Sequence, residues 1–217
     1  MHKLKIAFLV SFVALTGCSF DSADETAGLE TLYERLGTRE TLTLEDPSLV
    51  GVAAYDKQGE PLECVQPNVM AGDAVLRATA DGVLLVEAID IDLSDIEIEA
   101  GVVFDDKPIN ITDIHLKLGT QIAIEPEWSP DGKTASGVGH ADLLMDWALL
   151  ADDGEHLPLA TQRIRNAEFH VEARLERDGR VTASVTTAVD GTIWDFSAVE
   201  LADFSMAVTA SSLPSIR

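Results

Sequence analysis

The 217-residue chain is poor in cysteine, in aromatic side chains and in positive charge. Its two cysteines, Cys18 and Cys64, exclude a framework of several disulfides. Lysine and arginine number 15 against 38 aspartate and glutamate, and the formal net charge is −23. The electrostatic field of so negative a chain repels nucleic acids and anionic head groups, and it attracts cations or a basic partner. An acidic surface that serves solubility or a saline habitat is the alternative explanation.

The chain also lacks a helical span for a bilayer. The N-terminal apolar run, Ile6 to Leu15, is shorter than the roughly 20 residues that cross about 30 Å of hydrocarbon. It follows Lys3 and Lys5 and precedes small residues. A basic segment, an apolar segment and a processing site, in that order, are typical of a secretory signal.

The residues Leu15-Thr16-Gly17-Cys18 resemble the lipobox of bacterial lipoproteins. The resemblance covers residues 1–18 and none of the rest of the chain. It implies that residues 1–17 are a signal peptide and that Cys18 carries a diacylglycerol thioether and an acylated amino terminus. Each buried CH₂ contributes about 0.8 kcal/mol, so this anchor would hold the protein firmly on a membrane. An ordinary secretory signal is the alternative.

Two further expectations follow from the lipobox. Ser19 stands where an Asp would resemble an inner-membrane retention signal, so we expect an outer-membrane lipoprotein that faces the periplasm. With Cys18 lipidated, Cys64 has no partner, although oxidising compartments normally use cysteines in pairs. The sequence favours burial of Cys64 as a small hydrophobic residue. The alternative is that Cys64 is a reactive or intermolecular thiol.

The rest of the chain divides into an acidic tether, 18–25, and a single β domain, 26–217, that begins with a short helix of about residues 27–37. Leu29, Leu32, Tyr33 and Leu36 give the helical spacing, and Gly37 marks its end. We expect this apolar stripe to pack on the domain. A helix that binds a partner is the alternative.

From Glu40 onward, apolar residues alternate with polar ones, which predicts strands. No long helical pattern interrupts them, and parallel strands need long crossovers, so the sheet is predicted to be an antiparallel meander of about ten strands. Asp-Gly pairs suit tight turns, above all two-residue hairpin loops. There are five: Asp81-Gly82, Asp131-Gly132, Asp153-Gly154, Asp178-Gly179 and Asp190-Gly191.

One phrase occurs twice, as IDLSDIEIEAG at 91–101 and INITDIHLKLG at 109–119. In each copy the alternation slips by one residue, at Ser94-Asp95 and at Thr112-Asp113. In a regular strand this slip would turn the later apolar side chains outward. A β-bulge absorbs the extra residue, so we predict that both halves of each copy face the core while the strand bends.

The same slip occurs in VELADFSMAV at Asp203 and, more loosely, in IRNAEFHVEA, where Glu168 takes the acidic position. Several bulges are typical of a sheet with strong built-in curvature, as closure into a barrel requires. The predicted fold is therefore all-β, a strongly curved antiparallel meander, either barrel-like or two packed sheets, with a short N-terminal helix. The alternative is that each slip is a chain break, so that each copy forms two short strands that turn a corner between packed sheets.

If residues 105–108 form the turn between the two copies, Asp95 lies opposite Leu118 and Asp113 lies near Ala100. The two kinks would then be staggered diagonally across the sheet.

The sequence supplies no catalytic, cofactor-binding or metal-binding set. In the acidic stretch from Asp90 to Asp95, Asp90 and Asp92 alternate with Ile91 and Leu93, which indicates the solvent-facing side of a strand more than a calcium loop. His115, His140 and His170 occupy polar positions of strands, and no short-range spacing gives the three or four convergent ligands that zinc needs. A hydrolase elbow, a P-loop and a dinucleotide fingerprint are absent from the sequence.

The apolar residues are more informative about function than these candidate ligands. ADLLMDWALL contains Met145 and Trp147, while Trp128 and Trp194 lie near other strand ends. A curved antiparallel sheet can enclose a cavity, although a filled core explains the same residues. The sequence therefore favours a non-enzymatic binding or scaffolding module anchored through Cys18 that meets a protein or an apolar ligand. Carriage of a lipid in a β cavity is the alternative, and a hydrolase is the weaker one.

Overall fold

The computed structural model describes residues 30–56, 58–61, 66–98, 108–195 and 199–214. One helix, α1 (Leu32–Leu36), precedes twelve strands in this part of the chain. The strands are β1 (Glu40–Asp56), β2 (Val69–Ala78), β3 (Leu84–Leu93), β4 (Ile96–Ile98), β5 (Ile109–Leu118), β6 (Ile122–Ile124), β7 (Glu127–Trp128), β8 (Thr134–Leu150), β9 (His156–Pro158), β10 (Gln162–Leu175), β11 (Val181–Asp195) and β12 (Val199–Ser211).

Eight of these strands close into an antiparallel barrel. Their order around the barrel is β1-β2-β3-β5-β8-β10-β11-β12, and β12 pairs with β1 to complete the circle. The four short strands extend their neighbours: β4 continues β3, β6 and β7 continue β5, and β9 continues β10. The prediction of a strongly curved antiparallel meander is confirmed, in its barrel form. Closure leaves the barrel without a free edge.

Alternation within each strand separates an apolar interior from a polar outer wall. In β10, for example, the buried positions include Ala167, Phe169 and Val171, while Glu168 and His170 between them are exposed. The interior side chains form one continuous hydrophobic cluster. Glycines at 137 and 139 in β8 let this cluster pack tightly, because a Cβ at either position would overlap the side chains of Ile124 and Ile122.

Helix α1 closes one end of the barrel. Leu32 and Leu36 are 0 % exposed and belong to the core, as the apolar stripe predicted. The backbone N–H of Leu32 donates to the carbonyl of Gly132 (2.8 Å), and the hydroxyl of Tyr33 donates to the carbonyl of Thr79 (3.0 Å). These contacts fix the helix to the β7–β8 and β2–β3 turns, which lie at the same end.

The helix begins later than the predicted residue 27. Thr31 has extended backbone angles (φ −88°, ψ 158°) and is the N-cap, because its hydroxyl accepts from the N–H of Glu34 while the Glu34 carboxylate accepts from the Thr31 N–H. This capping box starts the helix at Leu32. Leu29, the first residue of the predicted stripe, lies outside the described residues.

Three of the bulges that bend the barrel strands have a residue in the left-handed conformation, Asp113 in β5, Asn166 in β10 and Asp203 in β12. These are the non-glycine residues with positive φ in the described ranges, at 52°, 50° and 55°. The strand pairing shifts at Asp113 and Asn166 and close to Asp203. Ile111 and Ile114, on either side of the first bulge, are both buried, as are Leu201 and Phe204 around the third. The predicted slips at Thr112-Asp113 and Asp203 are confirmed as bulges.

The fourth slip is at Asn166 and not at Glu168. Asn and Asp tolerate the left-handed backbone conformation better than other side chains, and Glu does not share this tolerance. The N–H of Asn166 donates to Oδ1 of Asp142 (2.8 Å), and at the third bulge Oδ1 of Asp203 accepts from the N–H of Gly191 (2.9 Å). Carboxylates thus satisfy backbone N–H groups beside these two bulges.

The first copy of the repeated phrase behaves differently. The strand is interrupted at Ser94-Asp95, which separates β3 from β4. Both strands pair with β5 of the same barrel, so the interruption is not a corner between two packed sheets. Leu93 pairs with Ile114, and Ile96 pairs with Ile111. Residues 94 and 95 therefore lie directly across from 113 and 112, and the predicted diagonal stagger is wrong. Residues 105–107 of the predicted turn lie outside the described residues.

Most Asp-Gly pairs form turns, but with longer loops than predicted. At Asp81-Gly82, Thr79 donates its N–H to the carbonyl of Val83, while Gly82 donates to Thr79 and has a φ of 82°. This is a type I turn followed by a left-handed glycine, a three-residue loop. Asp190-Gly191 is not a turn, because it lies inside β11 beside the bulge at Asp203.

Candidate functional site

We call the end of the barrel opposite α1 the mouth. Its described residues line an apolar cleft with a volume of about 30 Å³. That volume holds about one water molecule. The eleven described lining residues are all apolar: Val50, Val52, Pro67, Leu93, Ile96, Ile98, Ile111, Ile114, Met145, Trp147 and Leu201.

The interrupted and bulged strands place several of these residues. Leu93 and Ile96 lie on either side of the break between β3 and β4, yet both face the cleft. Ile111 and Ile114 do the same across the bulge at Asp113. Without the extra residue, one member of each pair would point to the outer wall.

Met145 and Trp147, which the sequence analysis singled out, both line the cleft, on β8. The indole Nε1 of Trp147 donates to the carbonyl of Ala160 (3.4 Å), which holds the ring beside the β9–β10 connection. Trp128 lies at the opposite end, where its ring packs edge-to-face on Tyr33 with centroids 5.6 Å apart. The side chain of Trp194 is outside what the structure describes, as are Cys18 and Cys64.

A rim of acidic side chains surrounds the cleft. We define this mouth rim by described residues of the strand ends and connections at this end, 55–56, 58–61, 66–68, 94–98, 108–113, 150–161, 190–193 and 200–203. It contains no Lys or Arg in its described residues. It contains eleven acids, all exposed or partly exposed: Asp56, Glu60, Asp95, Glu97, Asp113, Asp152, Asp153, Glu155, Asp190, Glu200 and Asp203. Lys57 and Lys107 lie outside the described residues.

Two contacts tie the elements of the mouth rim together. Nδ1 of His156, at the start of β9, lies 2.6 Å from Oδ2 of Asp113 and 3.0 Å from Oγ1 of Thr112. The hydroxyl of Tyr55 donates to Oδ2 of Asp203 (2.6 Å) and so joins β1 to β12. Both contacts use the acid of a bulge, so the same residues that bend the strands also fix the mouth.

Basic residues collect at the helix end instead. Seven of the ten described Lys and Arg residues lie there: Arg35, Arg39, Arg77, Lys133, Arg174, Arg177 and Arg180. Several pair with acids, as in Arg35–Glu40 (2.8 Å) and Arg77–Glu87 (2.7 Å). Among the described residues, the basic side chains are therefore concentrated at the helix end of the barrel.

The shifted pKa values also belong to the helix end. The N–H and hydroxyl of Thr31 donate to the Glu34 carboxylate and lower its pKa. Hydrogen bonds from the Ser129 hydroxyl and the Lys133 N–H lower the pKa of Asp131. These carboxylates cap a helix and a turn, so their shifts report local structure and not a reactive centre.

One group of potential metal ligands lies on the outer wall, away from the mouth. Asp90 and Asp92 in β3 and His115 in β5 place one donor atom each within 4.8 Å of one another, and Nδ1 of His115 lies 2.5 Å from Oδ1 of Asp92. Asp95 is not part of this group. These three donors, two exposed and one partly exposed, are fewer than the four of structural zinc and the six to eight of calcium. Lys117 is also the register neighbour of Asp90 on β5.

The other predicted histidines stay on the outer wall, as expected. His140 and His170 are exposed on β8 and β10, and their Nε2 atoms lie 3.6 Å and 3.3 Å from the carboxylate of Glu168. Within the described residues, Asp90, Asp92 and His115 are the one group of three potential metal ligands whose donor atoms lie within 4.8 Å of one another.

The sequence analysis missed the mouth rim and most of the cleft. Consecutive connections of a meander lie at opposite ends of the barrel, so every second connection lies at the same end. Grouping the connections in this way would have revealed the acidic end.

The chain matches no protein-family model, no curated protein and no solved structure. Among the described residues, no helix is both long and apolar enough to cross a membrane.

Proposed function

We propose that this protein is a bacterial envelope lipoprotein, anchored to the outer membrane through Cys18, that acts as a non-enzymatic binding module. The observation that carries the binding role is the apolar cleft at the mouth. An apolar site that a partner covers gains roughly 25 cal/mol for each Å² removed from water. The described residues that line the cleft are all apolar, which suits contact with an apolar group.

Cleft size favours a partner's side chain over an enclosed lipid. Pockets for small molecules measure about 300–1,000 Å³. The cleft measures about 30 Å³, which admits the end of one apolar side chain and not an acyl chain. Ile96 and Ile98 at its border are partly exposed and extend the apolar surface outward. Carriage of a lipid inside the barrel is therefore the weaker alternative.

The anchor also bears on which way the mouth points. Glu30, the first described residue, directly precedes α1 at the closed end. From Cys18 to Glu30 a fully extended chain reaches at most about 40 Å. A lipid on Cys18 would hold the closed end near the membrane, so the mouth would point into the periplasm and meet partners there.

Photo-crosslinking tests the binding role. Benzoylphenylalanine in place of Ile98 should give a crosslinked species of defined mass in intact cells. The matched control replaces Val138, which is 45 % exposed on the outer wall of β8. Equal crosslinking from both positions, or none from position 98, would contradict a binding site at the mouth.

Fractionation tests the anchor separately. Cys18→Ala should move the protein from the membrane fraction to the soluble fraction, whereas Cys64→Ala should leave it in the membrane fraction. A Cys18→Ala protein that remains with the membrane would refute lipid anchoring.

A further inference from the structure

The pairing of β10 with β11 covers only part of these two strands. It begins at the helix end and stops at Phe169, which pairs with Thr187. Closer to the mouth, residues 162–168 of β10 make register pairs with β8 alone, and residues 188–195 of β11 make them with β12 alone. We call these two stretches, which neighbouring strands of the barrel carry without a shared ladder, the split.

Two bulges account for the split. In β10, the N–H of Asn166 donates to the carboxylate of Asp142 on β8 (2.8 Å). In β11, the N–H of Gly191, whose φ is 110°, donates to the carboxylate of Asp203 on β12 (2.9 Å). Each bulge therefore ties its strand to the neighbour on the side away from the split. Because a bulge bends its strand and interrupts regular pairing, the two strands do not continue their ladder toward the mouth.

A buried hydroxyl lies where the ladder stops. The side chain of Thr187 is 5 % exposed, and its Oγ1 has no hydrogen-bond partner among the described residues. The alternation of β11 puts Thr187 on the inner face with Val185. Buried polar groups are nearly always hydrogen-bonded, so this hydroxyl is suited to a polar group that a ligand brings to the inner end of the split.

Resting on the proposed binding role, we infer that the split receives one extended polypeptide segment, which adds a strand to the sheet at the mouth. The N–H and C=O groups of a strand point to both of its sides, so each unpaired stretch presents donors and acceptors to the split. An extended peptide pairs with such groups through its own backbone, which a hydrocarbon chain does not do. At about 3.3 Å a residue, the stretch 162–168 matches a partner segment of about seven residues.

The inner face of the split selects the side chains of that segment. Ile164 is 5 % exposed, and Val189 and Ile193 are partly buried against the core. Arg165 and Thr192, by contrast, are exposed. Successive side chains of a strand point to opposite faces, so every second residue of the added segment meets the apolar inner face while the others meet water. The partner segment is therefore one in which apolar residues alternate with polar ones.

Photo-crosslinking from both sides of the split tests the inference in intact cells that produce the full-length lipidated protein. Benzoylphenylalanine replaces Arg165 on β10 or Thr192 on β11. Both proteins should crosslink to one stretch of about seven residues in the same partner, mapped by mass spectrometry of the digested product. The matched control replaces Glu172, which is exposed on β10 where that strand pairs with β11, and it should lose the crosslink. Urea midpoints confirm that the three variants remain folded.

A synthetic peptide of the crosslinked stretch then tests the role of its backbone. Its binding to the full-length lipidated protein in phosphatidylcholine nanodiscs is followed by fluorescence anisotropy, with empty nanodiscs as the blank. N-methylation at alternate residues removes the N–H groups from one side of the added strand. At least one of the two alternate sets should weaken binding about tenfold, a difference of about 1.4 kcal/mol.

The outcomes separate strand addition from the binding role on which it rests. Crosslinks from positions 165 and 192 to different stretches, crosslinking as strong from position 172, or binding that neither N-methylated set weakens would overturn strand addition. A defined crosslink from position 98 with none from 165 or 192 leaves the binding role standing and refutes only the added strand. The absence of a crosslink from all three of these positions refutes both.

Discussion

The sharpest prediction concerns Asn166, the left-handed residue of the bulge in β10. Its φ is 50°, and its side chain is exposed, so substitutions there change backbone strain without changing the core. The left-handed conformation costs an ordinary L-residue about 1–2 kcal/mol. Asn166→Ala should therefore lower the free energy of unfolding by about 1 kcal/mol, and β-branched Asn166→Val by about 2 kcal/mol. Asn166→Gly should stay within about 0.5 kcal/mol of the natural protein, because glycine adopts positive φ freely.

Glu168 is the matched control, two residues along the same strand. It is also exposed, and its contacts with the imidazole rings of His140 and His170 lie at the surface and contribute little. Glu168→Val should change the free energy of unfolding by less than about 0.5 kcal/mol, since β-branched residues suit strands.

Urea unfolding measures the difference. With a slope m of about 2 kcal/mol/M, Asn166→Val should lower the midpoint by about 1 M, while m itself stays unchanged. A Glu168→Val protein that is as unstable as Asn166→Val, or an Asn166→Gly protein that is less stable than Asn166→Ala, would refute the assignment of the bulge to Asn166.

Two further predictions concern the closed end. Leu36→Ala should lower the free energy of unfolding by about 2–5 kcal/mol in urea titrations, because it leaves a cavity under α1, and a loss below about 1 kcal/mol would show that the helix does not seal the barrel. Because its pKa is lowered in the folded state, the ionised Glu34 stabilises the fold above pH 4.3 or so and loses this effect as pH falls through the folded pKa. Glu34→Gln should flatten that acidic part of the stability profile whereas Glu127→Gln should not, and identical profiles would contradict the capping role.

Local patterns predicted the strands and most of the bends. Period-two alternation is set by the pleat of each strand, so a slip such as that at Asp203 marks an extra residue wherever the strand pairs. The fourth slip was assigned to Glu168 because each of the other three slips contains an acidic residue. The physical requirement is a side chain that tolerates positive φ, which Asn166 meets and Glu168 does not.

Pairing between distant strands could not be predicted from these patterns. Closure of β1 on β12 joins the two ends of the barrel sequence, and no local signal distinguishes it from two packed sheets. The grouping of Asp92 with His115 depends on a register that is set by a turn of unknown length. Met145 and Trp147 were identified as apolar material, but their place at the mouth follows only from the direction of β8 in the closed barrel.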